Sequence, residues 1–211
     1  MMVVPSIITM LLRIPGLLFA ISVHESAHGL VAYMQGDDLP KRQGRITLNP
    51  LPHIDLFGAI ALILFKFGWA KPVVTDPTKY KNPKVGMGLT ALAGPVANIF
   101  SAIIFAVVLK YIDKYNLIAN KYLIIMIQEA YLINLYLAIF NLLPIPPLDG
   151  SKVLFIFAPN KYVEFYYKYE IVGQIILIAC IFFAPFLLSF FLEPIAFVVS
   201  NFINFIVNLL P

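Results

Sequence analysis

Residues 85–112 read VGMGLTALAGPVANIFSAIIFAVVLKYI, a run of 28 positions whose single charge, Lys110, stands third from its end. A bilayer core of about 30 Å takes about 20 residues of helix, so a run of this length reads as a membrane-spanning helix. Outward from it, 3–34, 122–143 and 169–191 approach or exceed the same length, and 195–210 forms a shorter fifth segment. Residues 54–67 (IDLFGAIALILFKF) are too short to cross and read as re-entrant or interfacial. Nothing alternates apolar and polar over ten residues, which excludes an outer-membrane barrel. The expected fold is all-α: a polytopic transmembrane helix bundle of about five spans plus that segment, forming one domain over 1–211.

Composition agrees. The chain is 61% hydrophobic and 12% charged, against roughly 45–50% and a quarter in soluble domains. A cytosolic enzyme and a disordered linker are excluded, and the basic residues are too dispersed for a nucleic-acid partner. Cys180 lies alone in an apolar run and forms no intramolecular disulfide. The first charge is Arg13, with no basic region before a short apolar stretch, so no cleavable leader is expected.

The net charge of +4 matters less than its placement. The polar stretches 35–53 and 66–84 carry Lys41, Arg42, Arg45, Lys66, Lys71, Lys79, Lys81 and Lys84. By the positive-inside rule both are cytoplasmic. The N-terminus is then external and 85–112 runs outward. Lys110, Lys114 and Lys121 fall outside, against the rule, while Lys152, Lys161 and Lys168 fall inside with it. The expected location is the cell membrane, as a multi-pass protein.

Two of the three histidines stand in His24-Glu25-Ser26-Ala27-His28. On a helix, positions i and i+4 share a face, so both imidazoles can hold one metal ion with Glu25 beside its water. Three ionisable groups in one apolar span are costly unless they pair or bind something. A catalytic zinc takes three protein ligands and a water, so a third ligand is required. His53, Asp55, Glu129 and Asp149 are the groups to compare. Asp149 fits best, because it follows the inward-running 122–143 and ends a segment, Pro144-Ile145-Pro146-Pro147-Leu148-Asp149, that three prolines keep out of helix. Irregular backbone at membrane depth belongs where it lines a cavity. The alternative for Asp149 is the N-cap of a helix over 150–158. Glu129, near the opposite end of its helix, reads as a structural acid.

These motifs, together with Gly94-Pro95-Val96-Ala97-Asn98 and Asn141-Leu142-Leu143-Pro144-Ile145-Pro146-Pro147-Leu148-Asp149-Gly150, resemble the site-2 protease family of intramembrane zinc metalloproteases. The resemblance covers 24–150 and implies one Zn2+ per chain on His24, His28 and Asp149, with Glu25 as general base and Asn141 contacting substrate or transition state. It also implies an intramembrane-cleaving zinc metalloendopeptidase of regulated intramembrane proteolysis, acting on transmembrane protein substrates within the lipid bilayer near the cytoplasmic side. The chain is similar to the minimal branch without a PDZ or CBS domain, and the helix that often precedes the His-Glu-x-x-His helix is not found. His53 is either a donor to a developing oxyanion, a spare ligand, or a wet loop histidine. Asn98 reads as a helix-to-helix hydrogen bond before a catalytic group. Gly44–Leu48 has strand character and is expected to pair with an extended substrate or to remain a connecting loop.

The competing function is a divalent-metal transporter or channel, since ionisable residues within spans also mark ion pathways. Such proteins tend to show two related halves with matching broken helices, which this chain lacks. Nothing in the sequence sets the oligomeric state.

Overall fold

The computed structural model describes residues 6–65, 68–118 and 120–211. Residues 3–5, 66 and 67, which the expected segments 3–34 and 54–67 include, lie outside the described residues, and so does Lys66. The chain forms eight α-helices among the described residues: α1 (Ser6–Met34), α2 (Leu39–Arg42), α3 (Leu56–Phe65), α4 (Pro83–Tyr115), α5 (Lys121–Asn141), α6 (Asp149–Val153), α7 (Asn160–Phe183) and α8 (Pro185–Asn208). Five of these, α1, α4, α5, α7 and α8, are long and apolar enough to cross a membrane. The all-α expectation holds.

The helix ends follow local chemistry. Asn82 caps α4 by accepting the Val85 N–H (3.2 Å), with Pro83 at the first position, where its missing N–H costs nothing. At the far end Asn116 takes a left-handed turn (φ 49°). Asn120 caps α5 on the Tyr122 N–H (2.9 Å). The break between α7 and α8 falls at Ala184-Pro185, within the expected segment 169–191. Proline lacks a donor and pushes the preceding residue out of helical geometry, so the apolar run does not stay one helix.

Helices α1, α4 and α5 pack on one another through small residues, which let backbones approach where lipid offers no hydrophobic drive between helices. Ala20, Ala102 and Ala138 are fully buried, and a Cβ on Gly16 would stand 2.8 Å from the Ala130 Cα. Helix α8 covers this core with Ala196, Ile203 and Val207 against Ala102, Leu135 and Ile139. It runs parallel to α4, since the Lys110 ammonium donates to the carbonyls of Val207 (3.0 Å) and Leu210 (2.6 Å).

Helix α3 has ten residues, about 15 Å of rise, half of what a crossing needs. An antiparallel bridge between Ile54 and Ala70 brings its two flanks together. The chain thus leaves and returns at one place, so this segment does not cross, as either a re-entrant or an interfacial reading requires. Asp55 caps α3, accepting the Gly58 N–H (2.8 Å). Gly44–Leu48 is not a strand: the Thr47 carbonyl already accepts from Ser26 Oγ (2.7 Å) and His53 Nε2 (2.9 Å), which folds the segment onto α1.

Glu129 meets Arg13 of α1, with Nε to Oε2 at 2.7 Å and Nη2 to Oε1 at 3.3 Å. This is the structural acid that the sequence suggests. Glu129 is nearly buried while the Arg13 side chain is 54% exposed, so the pair is worth less than a fully buried one. Replacing Glu129 by Ala should cost about 1–3 kcal/mol in detergent unfolding, because it strands a cation at membrane depth. The double variant R13M/E129M should recover most of that loss.

Candidate metal centre

Helix α1 presents His24 and His28 to α4 and to the segment after α5, and Glu25 to the segment 71–76. The two imidazoles stand edge to face, centroids 4.6 Å apart. Asp149 arrives from the other side. After Asn141 the chain turns through bonds from the Ile145 N–H to Leu143 O (2.8 Å) and the Leu148 N–H to Ile145 O (2.9 Å), then opens α6 with Asp149 as its first helical residue. Leu148, not Asp149, is the cap residue. The carboxylate turns to the histidines instead: its Oδ2 stands 3.0 Å from His24 Nε2 and 3.3 Å from His28 Nε2. The three ligand atoms lie within 4.8 Å of one another. Gly150 follows because any Cβ there would collide with the Leu142 carbonyl, where α6 folds back on the end of α5.

The second nitrogen of each ring decides what these atoms do. His28 Nδ1 is 2.7 Å from the Thr90 carbonyl, which can only accept. His24 Nδ1 is 2.6 Å from Asn98 Oδ1. That oxygen is an acceptor because the Asn98 amide nitrogen is committed elsewhere, donating to Ala20 O (3.0 Å) and Asn134 Oδ1 (2.9 Å). Asn134 in turn donates to Ala130 O (2.8 Å). Both rings therefore carry hydrogen on Nδ1, which leaves Nε2 of each, toward the carboxylate, as the nitrogen a neutral ring offers to a metal. Two such nitrogens and a carboxylate oxygen facing one point are joined by a metal cation or by a second proton on a ring. The donor set, two imidazoles and a carboxylate with the far nitrogens anchored, fits Zn2+.

Helix α4 lines the centre with Thr90, Gly94 and Asn98, at i, i+4 and i+8 on one face. A Cβ on Gly94 would lie 2.6 Å from His24 Nε2 and 2.6 Å from His28 Cε1. Only glycine lets α4 pass. Asn98 is the interhelical hydrogen bond that the sequence suggests, and it also orients the His24 ring. Gly94 is the small residue for close helix approach that the sequence suggests; the roles of Thr90 and Asn134 are not legible there, although a polar residue four positions from Gly94 on an apolar helix is a signal.

The remaining candidates lie elsewhere. His53 is fully buried beneath the 45–53 loop, its Nε2 donating to Thr47 O. Asn141 donates from its amide to Leu137 O on its own helix (2.9 Å). Glu25 is half-buried, and its Oε2 accepts the Val73 N–H (2.9 Å) from the segment 71–76, which has no regular secondary structure. At the end of that segment, the Thr78 hydroxyl and amide hold the Asp76 carboxyl below its ordinary range.

Residues 111–183 match the profile of peptidase family M50. The resemblance to site-2 proteases therefore holds. A Bacillus subtilis (strain 168) protein provisionally named zinc metalloprotease YwhC is 40% identical over 146 residues, 65% of each chain. A Methanocaldococcus jannaschii protein, provisionally named a zinc metalloprotease too, is 43% identical over 67 residues, 32% of each. The matched region spans less than two thirds of either relative. No solved structure matches.

Anchoring of the ligand rings leads to a direct test. Replacing Asn98 by Ala should weaken zinc binding by about 10–100-fold in equilibrium dialysis, the usual range for loss of such a partner. Gly94→Val should abolish zinc binding while the helical content stays unchanged by circular dichroism.

Proposed function

We propose that the chain is a zinc-dependent intramembrane endopeptidase that hydrolyses peptide bonds of transmembrane substrates. The observation that carries this reading is the convergence of His24 Nε2, His28 Nε2 and an Asp149 oxygen beside Glu25 on the same helix. A zinc ion held by these three residues would supply Lewis acidity, lowering the pKa of a water to about 7 and polarising the scissile carbonyl. The residues of the chain do the rest. Val73 engages Glu25 Oε2, so Oε1 is the atom that takes the proton of the attacking water and passes it to the leaving amine. Asn141 is assigned to the developing oxyanion, its amide turning from Leu137 O. Asn98 orients His24, and His53 serves the loop.

A transmembrane substrate hides its peptide bonds in a helix and must unwind to be cut. The backbone groups of Val74 and Thr75 carry no hydrogen bond within the described residues and offer an extended strand an edge. By charge placement, eleven basic residues on the inner stretches against three outside, the centre faces the cytoplasm of a cell membrane. One domain, 1–211, carries the whole site.

Glu25→Gln should reduce cleavage of a model single-span substrate in proteoliposomes by at least about 10²-fold while zinc content by elemental analysis stays at one per chain. Unaltered cleavage would remove Glu25 as the base. Zinc-dependent ion flux without cleavage would replace the protease by a metal transporter.

A further inference from the structure

Arg45 belongs by sequence to the solvated loop cations, yet it is 5% exposed. Gly44, in the left-handed region (φ 64°), ends the α2 turn, and the Arg45 N–H closes on Pro40 O (2.9 Å), which sends the side chain inward. No carboxylate pairs with it among the described residues. Its fork instead takes two carbonyls from two separate stretches of chain, Nη1 on Pro52 O and Nη2 on Lys71 O. Beside this, the Lys71 N–H donates to His53 O (2.9 Å) and Ile54 bridges Ala70. His53 and Ser26 meet on Thr47 O, which ties the same loop to α1 one residue past Glu25. Two residues beyond Lys71, the Val73 N–H reaches Glu25 Oε2. The far end of the segment is pinned by the Asp76 N–H on Oδ2 of buried Asp37 (2.7 Å).

The clasp is built at a cost. Arg45 Nε and His53 Nδ1 are buried without hydrogen-bond partners, an arrangement that folding alone does not favour. What it secures is the register of 71–76 over α1. A glutamate on a helix surface otherwise samples several rotamers, and one fixed N–H on Oε2 leaves Oε1 in a single place.

Resting on the protease reading, we propose that Arg45 is a positioning residue: by holding Pro52 and Lys71 together it keeps the Val73 N–H on Glu25 and fixes the carboxylate that moves the proton. The full chain in proteoliposomes with a single-span substrate tests this. Arg45→Ala should lower kcat on the order of 10²-fold, as misplacement of about 1 Å does, with KM and zinc content unchanged and faster hydrogen exchange across 71–76. R45K should behave like R45A, since an ammonium does not span two carbonyls.

Rescue separates positioning from a merely structural role. The Lys71-to-His53 bond makes Ile54 and Ala70 a non-hydrogen-bonded pair, whose side chains stand close enough for a disulfide. In a C180S background, adding I54C/A70C to R45A should restore most of kcat when oxidised and lose it when reduced. Zinc loss in R45A, wild-type kcat in R45A, or failure of the closed disulfide to restore kcat would overturn the proposal. Unchanged exchange across 71–76 in R45A would overturn the clasp itself. A wild type that cleaves nothing while R45A still speeds exchange would bring down the protease reading and leave the clasp as structure.

Discussion

Two hydrogen bonds on the outer nitrogens of His24 and His28 decide what the centre can do. A neutral imidazole has one hydrogen to place, and a backbone carbonyl and an already committed amide oxygen both demand it at Nδ1. The inner nitrogens of neutral rings are then lone pairs aimed at a carboxylate. Without those two acceptors a neutral ring could turn its N–H toward Asp149 and spend it there. With them, a neutral ring keeps its inner nitrogen for a metal, and only a second proton on a ring would join it to the carboxylate instead.

Much of the bundle follows from that demand. For a backbone carbonyl of α4 to reach a ring on α1, the two helices must approach more closely than leucine-sized side chains allow, hence Gly94 at the contact and buried alanines along the seam. For Asn98 to present oxygen rather than nitrogen, α5 must supply Asn134, whose own amide is bound back to Ala130. The network runs from α5 through α4 to α1, and each polar group buried in it has a partner. A half-satisfied version would be worse than an apolar core, so the polar members hold as a unit.

What the residues declared beforehand was the chemistry carried by side chains at fixed spacing. His24, Glu25 and His28 announce themselves because one helical turn brings them together, and Asp149 because prolines free its backbone. The acceptor on His28 is a main-chain carbonyl, and the donor on Glu25 is a main-chain amide. Neither has a residue type, so neither leaves a mark in sequence. Arg45 illustrates the opposite failure. A cation in a polar loop reads as solvated, and only the positive φ of Gly44 turns it inward. The α7–α8 break was legible in Pro185, but the apolar character around it masked the punctuation.

The two sides of the centre are built differently. The histidine side is helix on helix, with fully buried Asn98 and Asn134 and short interhelical contacts. Opening it would break the whole network at once. The glutamate side is a segment without regular secondary structure, 71–76, partly exposed along its length and held at Lys71, Val73 and Asp76. It lacks a helix's own ladder, so what holds it over Glu25 is the set of contacts at its ends, Arg45 on the Lys71 carbonyl and Asp37 on the Asp76 N–H. Both arrangements follow from placing His-Glu-x-x-His so that its histidines face helices and its glutamate faces a loop.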